Sequence, residues 1–288
     1  MDKRILGKTG LSVSIITFSG ILLDKAESKK ASELVAFAVD NDVNYFDVAP
    51  NYGDAQYNLG PALMPYRKDI YLACKTTQRS AKGAKEELLE SLSALRTDYF
   101  DNYQLHSVGS LEEVEQIFAP DGAMETFNWA LREGLVRHIG FTTHYDSVAV
   151  ELLSHPEFET MLFPVNYAYR EMKNASVQPL ELCVKNNVGV VAIKALAERS
   201  WREGEEKTYP RCWYRPIYDN PRFARIALNY TLSREGVTTA PPPSDERMFR
   251  VAVEIIRSQG GRSVEPRGEE YKYIAERVSA LSEEDLLF

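Results

Sequence analysis

The chain holds only three cysteines and four histidines in 288 residues. Cys74, Cys183 and Cys212 are odd in number and far apart. That excludes a disulfide framework and suits a reducing compartment. His106, His138, His144 and His155 show no metal-ligand spacing, and no Cys-x-x-Cys occurs, so the common zinc sites are excluded. No Gly-x-Gly-x-x-Gly is present, which argues against a Rossmann domain. Gly7-Lys8-Thr9 lacks both the earlier glycine and the preceding strand of a phosphate loop. Positive charge is in deficit, with 34 Lys and Arg against 42 Asp and Glu. A net charge of −8 argues against nucleic acid as the main partner, because phosphate binding needs a basic face. No apolar run approaches the roughly 20 residues of a membrane-spanning helix. Met1-Asp2-Lys3-Arg4 lacks an apolar signal core, so the expectation is a soluble cytoplasmic protein without a membrane partner.

What is present is alternation. Strand-like runs fall at 15–19, 45–48, 70–75, 99–106, 138–142, 161–166, 188–194 and 237–240. Helical patterns lie between them. In 84–96, Leu88, Leu92 and Leu95 recur at helical spacing. Segments 32–40, 125–133, 148–153, 179–187 and 221–233 read similarly, and Pro221 suits a helix's first turn. Strands alternating with helices predict a parallel sheet, and eight strands close a barrel. The fold class is therefore α/β, a (β/α)8 TIM barrel forming a single domain over 1–288. The barrel core runs from about 15 to 258. Residues 4–14 predict a β-hairpin cap at its amino-terminal end, and 259–288 a helical extension centred on 270–281. The longest irregular stretch, 197–220, carries Trp201, Arg202, Arg211, Trp213, Tyr214 and Arg215. A loop of that length in a compact domain is usually functional or disordered, and its aromatics and arginines favour function.

Charged or polar residues close several strands. Asp47 ends one run, Lys75 the next, His106 the one after, and Tyr52 lies five residues beyond Asp47. The carboxyl ends of barrel strands are where such folds keep their active sites. Side chains alternate faces along a strand, so Tyr45 and Asp47 share one face, as do Tyr71, Ala73 and Lys75. A tyrosine beside a lysine–carboxylate pair can pass a proton to a carbonyl oxygen. Phe46-Asp47-Val48-Ala49-Pro50-Asn51-Tyr52-Gly53 resembles the Asp-Thr-Ala-x-x-Tyr-Gly signature of the aldo-keto reductase family. Residues 88–101 resemble its Leu-x-x-Ser-Leu-x-x-Leu-x-x-Asp-Tyr-x-Asp segment, and 134–141 its Gly-Lys-Ile-Arg-x-Ile-Gly-Val run. The similarity covers roughly 4–250.

The resemblance implies a catalytic tetrad of Asp47, Tyr52, Lys75 and His106. It implies an NAD(P)H-dependent oxidoreductase acting on a small aldehyde, ketone or corresponding alcohol, a sugar included, in a protein that is often monomeric. It further implies NADP(H) across the barrel mouth, with NAD(H) also open. Thr142 and Thr143 stand at the Ser-Asn pair that holds the nicotinamide carboxamide, and Asn166 at the supporting Gln. Ile193 replaces a stacking tyrosine, and Lys194 follows it, in reach of a pyrophosphate. Ser244 begins a helix that could face a phosphate, and Arg247 matches the arginine for the adenosine 2′-phosphate. Pro241 and Val251 replace the family's lysine and asparagine. Two other classes compete: a non-catalytic nucleotide-binding regulator on the same fold, and a metal-dependent barrel hydrolase, for which no His/Asp cluster is visible.

Overall fold

A computed structural model describes residues 1–286. Eight parallel strands form one sheet: β1 (Phe18–Ser19), β2 (Tyr45–Asp47), β3 (Tyr71–Thr76), β4 (Phe100–Val108), β5 (Val136–Thr143), β6 (Thr160–Pro164), β7 (Gly189–Ile193) and β8 (Val237–Thr239). Each pairs with the next in chain order. The ring closes where Ile16 bridges Ala240 in parallel. There Thr17 N–H donates to the Ala240 carbonyl at 3.2 Å, and the Thr17 and Thr239 hydroxyls pair at 2.7 Å. The result is the expected (β/α)8 barrel.

Helices α1 (Ser28–Asp40), α2 (Ala55–Leu63), α3 (Ala81–Ala94), α4 (Leu111–Phe118), α5 (Ala123–Arg132), α6 (Asp146–Leu152), α7 (Tyr167–Lys173), α8 (Val177–Asn186), α9 (Pro221–Leu232) and α10 (Glu246–Ser258) surround it, and α11 (Glu269–Ser279) follows. Their starts are written locally. The Ser80 hydroxyl accepts from Gly83 N–H at α3, and the Asn220 side-chain Oδ1 accepts from Phe223 N–H at α9, whose first residue, Pro221, needs no N–H partner. Leu88 and Leu92 of α3 turn inward, as their spacing requires. Among the described residues no helix is long and apolar enough to cross a membrane.

Strand alternation divides the core in two. Phe46, Leu72 and Cys74 face outward into the large layer beneath the helices. Tyr45, Ala73, Leu162 and Val191 face the lumen, where Leu6 and Val13 join them. Those two come from the hairpin Lys3–Ile5 with Ser12–Ser14, which plugs the amino-terminal end. A Cβ on Gly189 would meet Leu6 at 2.6 Å, so only glycine lets the plug seat. The lumen also holds a polar chain: Asn102 Nδ2 donates to the Tyr45 hydroxyl at 2.9 Å, and Thr160 Oγ1 donates to Asn102 Oδ1 at 3.1 Å.

Two expectations are corrected. The segment 197–220 is not irregular throughout: Ala197–Arg199 pairs antiparallel with Arg215–Pro216. Asn166 is not a strand residue but the N-cap of α7, its Oδ1 accepting from Ala168 N–H at 2.8 Å. The carboxyl-terminal tail runs back to the loop. Ser200 N–H donates to the Asp285 carbonyl at 2.8 Å, and Arg202 Nε reaches the Asp285 carboxylate at 3.0 Å.

Candidate active site

Asp47 and Lys75 end neighbouring strands on the lumen face, and the register Asp47↔Ala73 sets Lys75 one pleat further along. Lys75 Nζ donates to Asp47 Oδ2 at 2.5 Å and to the Val48 carbonyl at 3.3 Å, with both side chains buried. Tight turns after β2 bring Tyr52 back over them: Tyr52 N–H bonds the Ala49 carbonyl, and Ala55 N–H bonds the Tyr52 carbonyl. The Tyr52 ring centroid lies 5.4 Å from Lys75 Nζ. His106 stands edge-on to that ring, with centroids 5.8 Å apart. The structure thus brings together all four residues singled out in the sequence, around one cavity.

His106 is aimed by an irregularity. The β4–β5 register shifts between Leu105 and Val108, and Ser107 adopts φ +53°. Such a bulge re-aims a side chain, and a left-handed non-glycine residue costs of order 1–3 kcal/mol. The bend is held by Ser107 N–H on Thr142 Oγ1 at 2.6 Å and by Arg79 on the His106 carbonyl at 2.8 Å, with Arg79 anchored to Glu113.

Burial works against charge throughout the site. It pulls the Lys75 ammonium down, but Asp47, with Tyr52, outweighs it and the lysine stays cationic. Burial pushes the Tyr52 phenol up, Lys75 pulls it back, and the balance stays above the usual tyrosine value. Desolvation wins over the pull of Lys75, and the phenol is protonated at neutral pH. His106 is driven down to about 3 by burial, Lys75 and Arg79, so it is neutral. Among the described residues Asp47 Oδ1 has no hydrogen-bond partner.

The cavity has a volume of about 420 Å³. Beyond the four, its wall includes Thr142, His144, Ile193, Lys194, Trp213, Tyr214 and Ser244. Thr142 Oγ1 accepts from Ser107, which leaves its O–H to donate. Lys194 is buried at φ +73°, its ammonium 4.6 Å from the Tyr214 ring centroid, and burial draws it down to about 8. His144 is lowered to about 4 by burial and by Lys194. Ser107, Ser19 and Ile21 also line the cavity and carried no sequence signal.

Three residues expected at the cofactor do not line this cavity. Thr143 Oγ1 donates to the Val108 carbonyl, beneath the surface. Asn166 spends its amide on the Lys194 and Ala197 carbonyls while its oxygen caps α7, so it braces the loop. Arg247 faces Asp245 in a two-point ion pair, 2.8 Å at each contact, and lies over Tyr209. The loop's arginines are likewise occupied: Arg202 by Asp285, Arg215 by Glu198 and Asp219, Arg211 by the Leu22 carbonyl. Trp213, by contrast, is on the cavity wall and 65 % exposed. Among the described residues no group of His, Cys, Asp and Glu is arranged to hold a metal.

The fold and the site define a (β/α)8 barrel with a buried lysine–carboxylate pair under a tyrosine at its carboxyl-terminal mouth. The chain belongs to the aldo/keto reductase family, whose model matches residues 20–242. It is 28% identical over 206 residues to an uncharacterized oxidoreductase, YqkF, of Bacillus subtilis, covering 67% of this chain and 64% of that protein. It is 27% identical over 215 residues to the L-galactose dehydrogenase of Arabidopsis thaliana, covering 68% and 66% respectively. The chain thus spans just under two thirds of the length of these relatives. The fold matches the aldo-keto reductase AKR11C1 of Bacillus halodurans in its holo form, with a TM-score of 0.73, 24% identity and 99% of each chain covered.

Proposed function

We propose that the protein is a nicotinamide-dependent oxidoreductase that reduces an aldehyde or ketone, or oxidises the corresponding alcohol, with Tyr52 as general acid or base. The observation that carries this reading is the Lys75–Asp47 ion pair under the Tyr52 ring, at a cavity shared with His106. When bound, the dinucleotide supplies the hydride. Thr142 has a free O–H for the carboxamide, and Lys194 and Ser244 are the polar groups for its phosphate and ribose portions; these residues fit the group. Thr143, Asn166 and Arg247 are not used.

In the reductive direction Tyr52 holds the proton that the carbonyl oxygen needs. A raised phenol is correctly protonated at neutral pH but is a reluctant donor. Lys75, kept cationic by Asp47, stabilises the phenolate left behind, so it acts on the step and not on the resting state. Neutral His106 donates a hydrogen bond to the carbonyl oxygen and orients it, and its neutrality avoids a second buried cation beside Lys75. In the oxidative direction the same groups run in reverse, with Tyr52 as phenolate.

Trp213 and Tyr214 give the cavity an aromatic wall, and a tryptophan face suits a sugar ring. Given the relative named as an L-galactose dehydrogenase, reducing sugars and their alcohols are the first class to test. The experiment is a panel of aldehydes, ketones and sugars with NADH and NADPH, followed by nicotinamide absorbance. Turnover with any carbonyl or alcohol pair supports the reading; the absence of both nucleotide binding and turnover across the panel defeats it.

A further inference from the structure

The backbone bend that aims His106 is gripped by one side chain from outside the cavity. Arg79 lies in the loop after β3, and its mostly buried guanidinium donates to three separate segments. Nη2 reaches the His106 carbonyl at 2.8 Å, Nη1 the Thr77 carbonyl at 3.2 Å, and Nε the Glu113 carboxylate of α4 at 2.7 Å. The loop that presents Arg79 is fixed on both flanks. Upstream, the Glu87 carboxylate accepts from Thr76 Oγ1 and Thr77 N–H at 2.6 Å each, and from Thr77 Oγ1 at 2.8 Å. Downstream, Ala81 N–H donates to the Asp121 carbonyl at 2.7 Å, and Ala123 N–H donates to the Arg79 carbonyl at 2.8 Å. Arg79 is therefore a rigid strut from the exit of β3 to the exit of β4. His106 and Ser107 line the cavity, whereas Arg79 and Glu113 do not.

What the strut holds is under strain. A left-handed non-glycine residue such as Ser107 persists only where its surroundings over-determine it. Thr142 holds the bend through Ser107 N–H, and Arg79 holds it through the His106 carbonyl. Three directed bonds from one planar group are what arginine supplies and lysine does not. We propose that Arg79, steered by Glu113, is a positioning residue for the reaction: by gripping the His106 carbonyl it keeps the imidazole where the substrate's carbonyl oxygen must lie. The inference rests on the oxidoreductase reading of the site. A misplacement of about 1 Å is enough to cost on the order of 100-fold in rate. The guanidinium also opposes protonation of the imidazole, after burial and Lys75, which suits a neutral hydrogen-bond donor.

Two readouts test it, and the first needs no substrate. In protein with isotope-labelled aromatic rings, the proton NOE between Tyr52 and His106, whose centroids are 5.8 Å apart, reports the aim of the imidazole. The NOE between Phe18 and Phe46, 5.0 Å apart, reports the fold. Arg79→Met should lose the first cross-peak and keep the second. Glu113→Gln, at a partly exposed position on α4, should weaken the first in the same way and serves should Arg79→Met not fold. The second readout is a double-mutant cycle on kcat/KM for a carbonyl substrate. Arg79→Met should lower kcat/KM at least about 10-fold and leave nucleotide affinity unchanged. In a His106→Gln background the same change should have little further effect, because Arg79 acts through that side chain. A Tyr52–His106 cross-peak retained in both variants overturns the proposal. So does a loss of kcat/KM as large in the His106→Gln background as in the wild type. A wild-type protein that shows the cross-peak but neither binds nucleotide nor turns over any carbonyl defeats the oxidoreductase reading, and the proposed role with it.

Discussion

Lys75 Nζ sits 2.5 Å from Asp47 Oδ2 and 5.4 Å from the centre of the Tyr52 ring, so one buried cation serves a carboxylate below and a phenol above. Breaking such a pair leaves an uncompensated buried charge and costs about 3–5 kcal/mol. Asp47→Asn should therefore lower unfolding free energy by that order and abolish turnover. The double variant Asp47→Asn, Lys75→Met buries no charge and should recover part of the stability with no activity. Urea unfolding of both variants checks this. An Asp47→Asn protein as stable as wild type would mean that the pair is not ionised.

Acid should weaken the fold through two cavity histidines. His106 is driven to about 3, chiefly by burial and Lys75, and His144 to about 4, chiefly by burial and Lys194. Both lie below the unfolded value near 6.5. Below that pH the unfolded chain binds protons that the folded chain refuses, so stability falls as pH drops from 6.5 toward 4. Each histidine contributes up to about 1.4 kcal/mol per pH unit in that window. His144→Gln should flatten the slope of stability against pH by up to that amount between pH 6 and 4.5. A slope identical to wild type would show that His144 is protonated in the folded state.

The barrel was legible because its signals are periodic. Alternating faces put Asp47 on one face with Tyr45 and Lys75 on one face with Ala73, and in the barrel both faces are the inward ones. The aim of His106 was not legible, since it depends on a bulge at Ser107, and serine has no preference for the left-handed backbone found there. Asn166 was misplaced for a reason the sequence does contain: an asparagine ahead of a helical run is a cap first and a ligand second. Arg247 was read as a family position, and its capture by Asp245 two residues earlier emerges only once the helix cap folds. The tie between Arg202 and Asp285 joins residues 83 apart, which no local pattern encodes.

The two loop tryptophans should separate on mutation. Trp201 Nε1 donates to the Cys212 carbonyl at 2.8 Å and its ring is half-buried, so it packs the loop. Trp201→Ala should cost about 1–3 kcal/mol, less than the 3–5 of a fully buried tryptophan. Trp213 is 65 % exposed on the cavity wall. Trp213→Ala should leave the melting temperature within about a degree or two and raise KM. Reversed results, with Trp213 controlling melting and Trp201 controlling KM, would place the substrate on the other side of the loop.

Tyr52→Phe tests the central claim most directly, because it removes one hydroxyl from the cavity and leaves the Lys75–Asp47 pair in place. General acid catalysis contributes about 10²–10⁴-fold, so kcat for carbonyl reduction should fall by at least 100-fold. Nicotinamide nucleotide affinity, measured by equilibrium binding, should stay within a few-fold, since no bond to the dinucleotide is assigned to that hydroxyl. A variant retaining more than about a tenth of wild-type kcat would put less than 1.4 kcal/mol of the barrier on the Tyr52 proton and contradict its role as the proton donor.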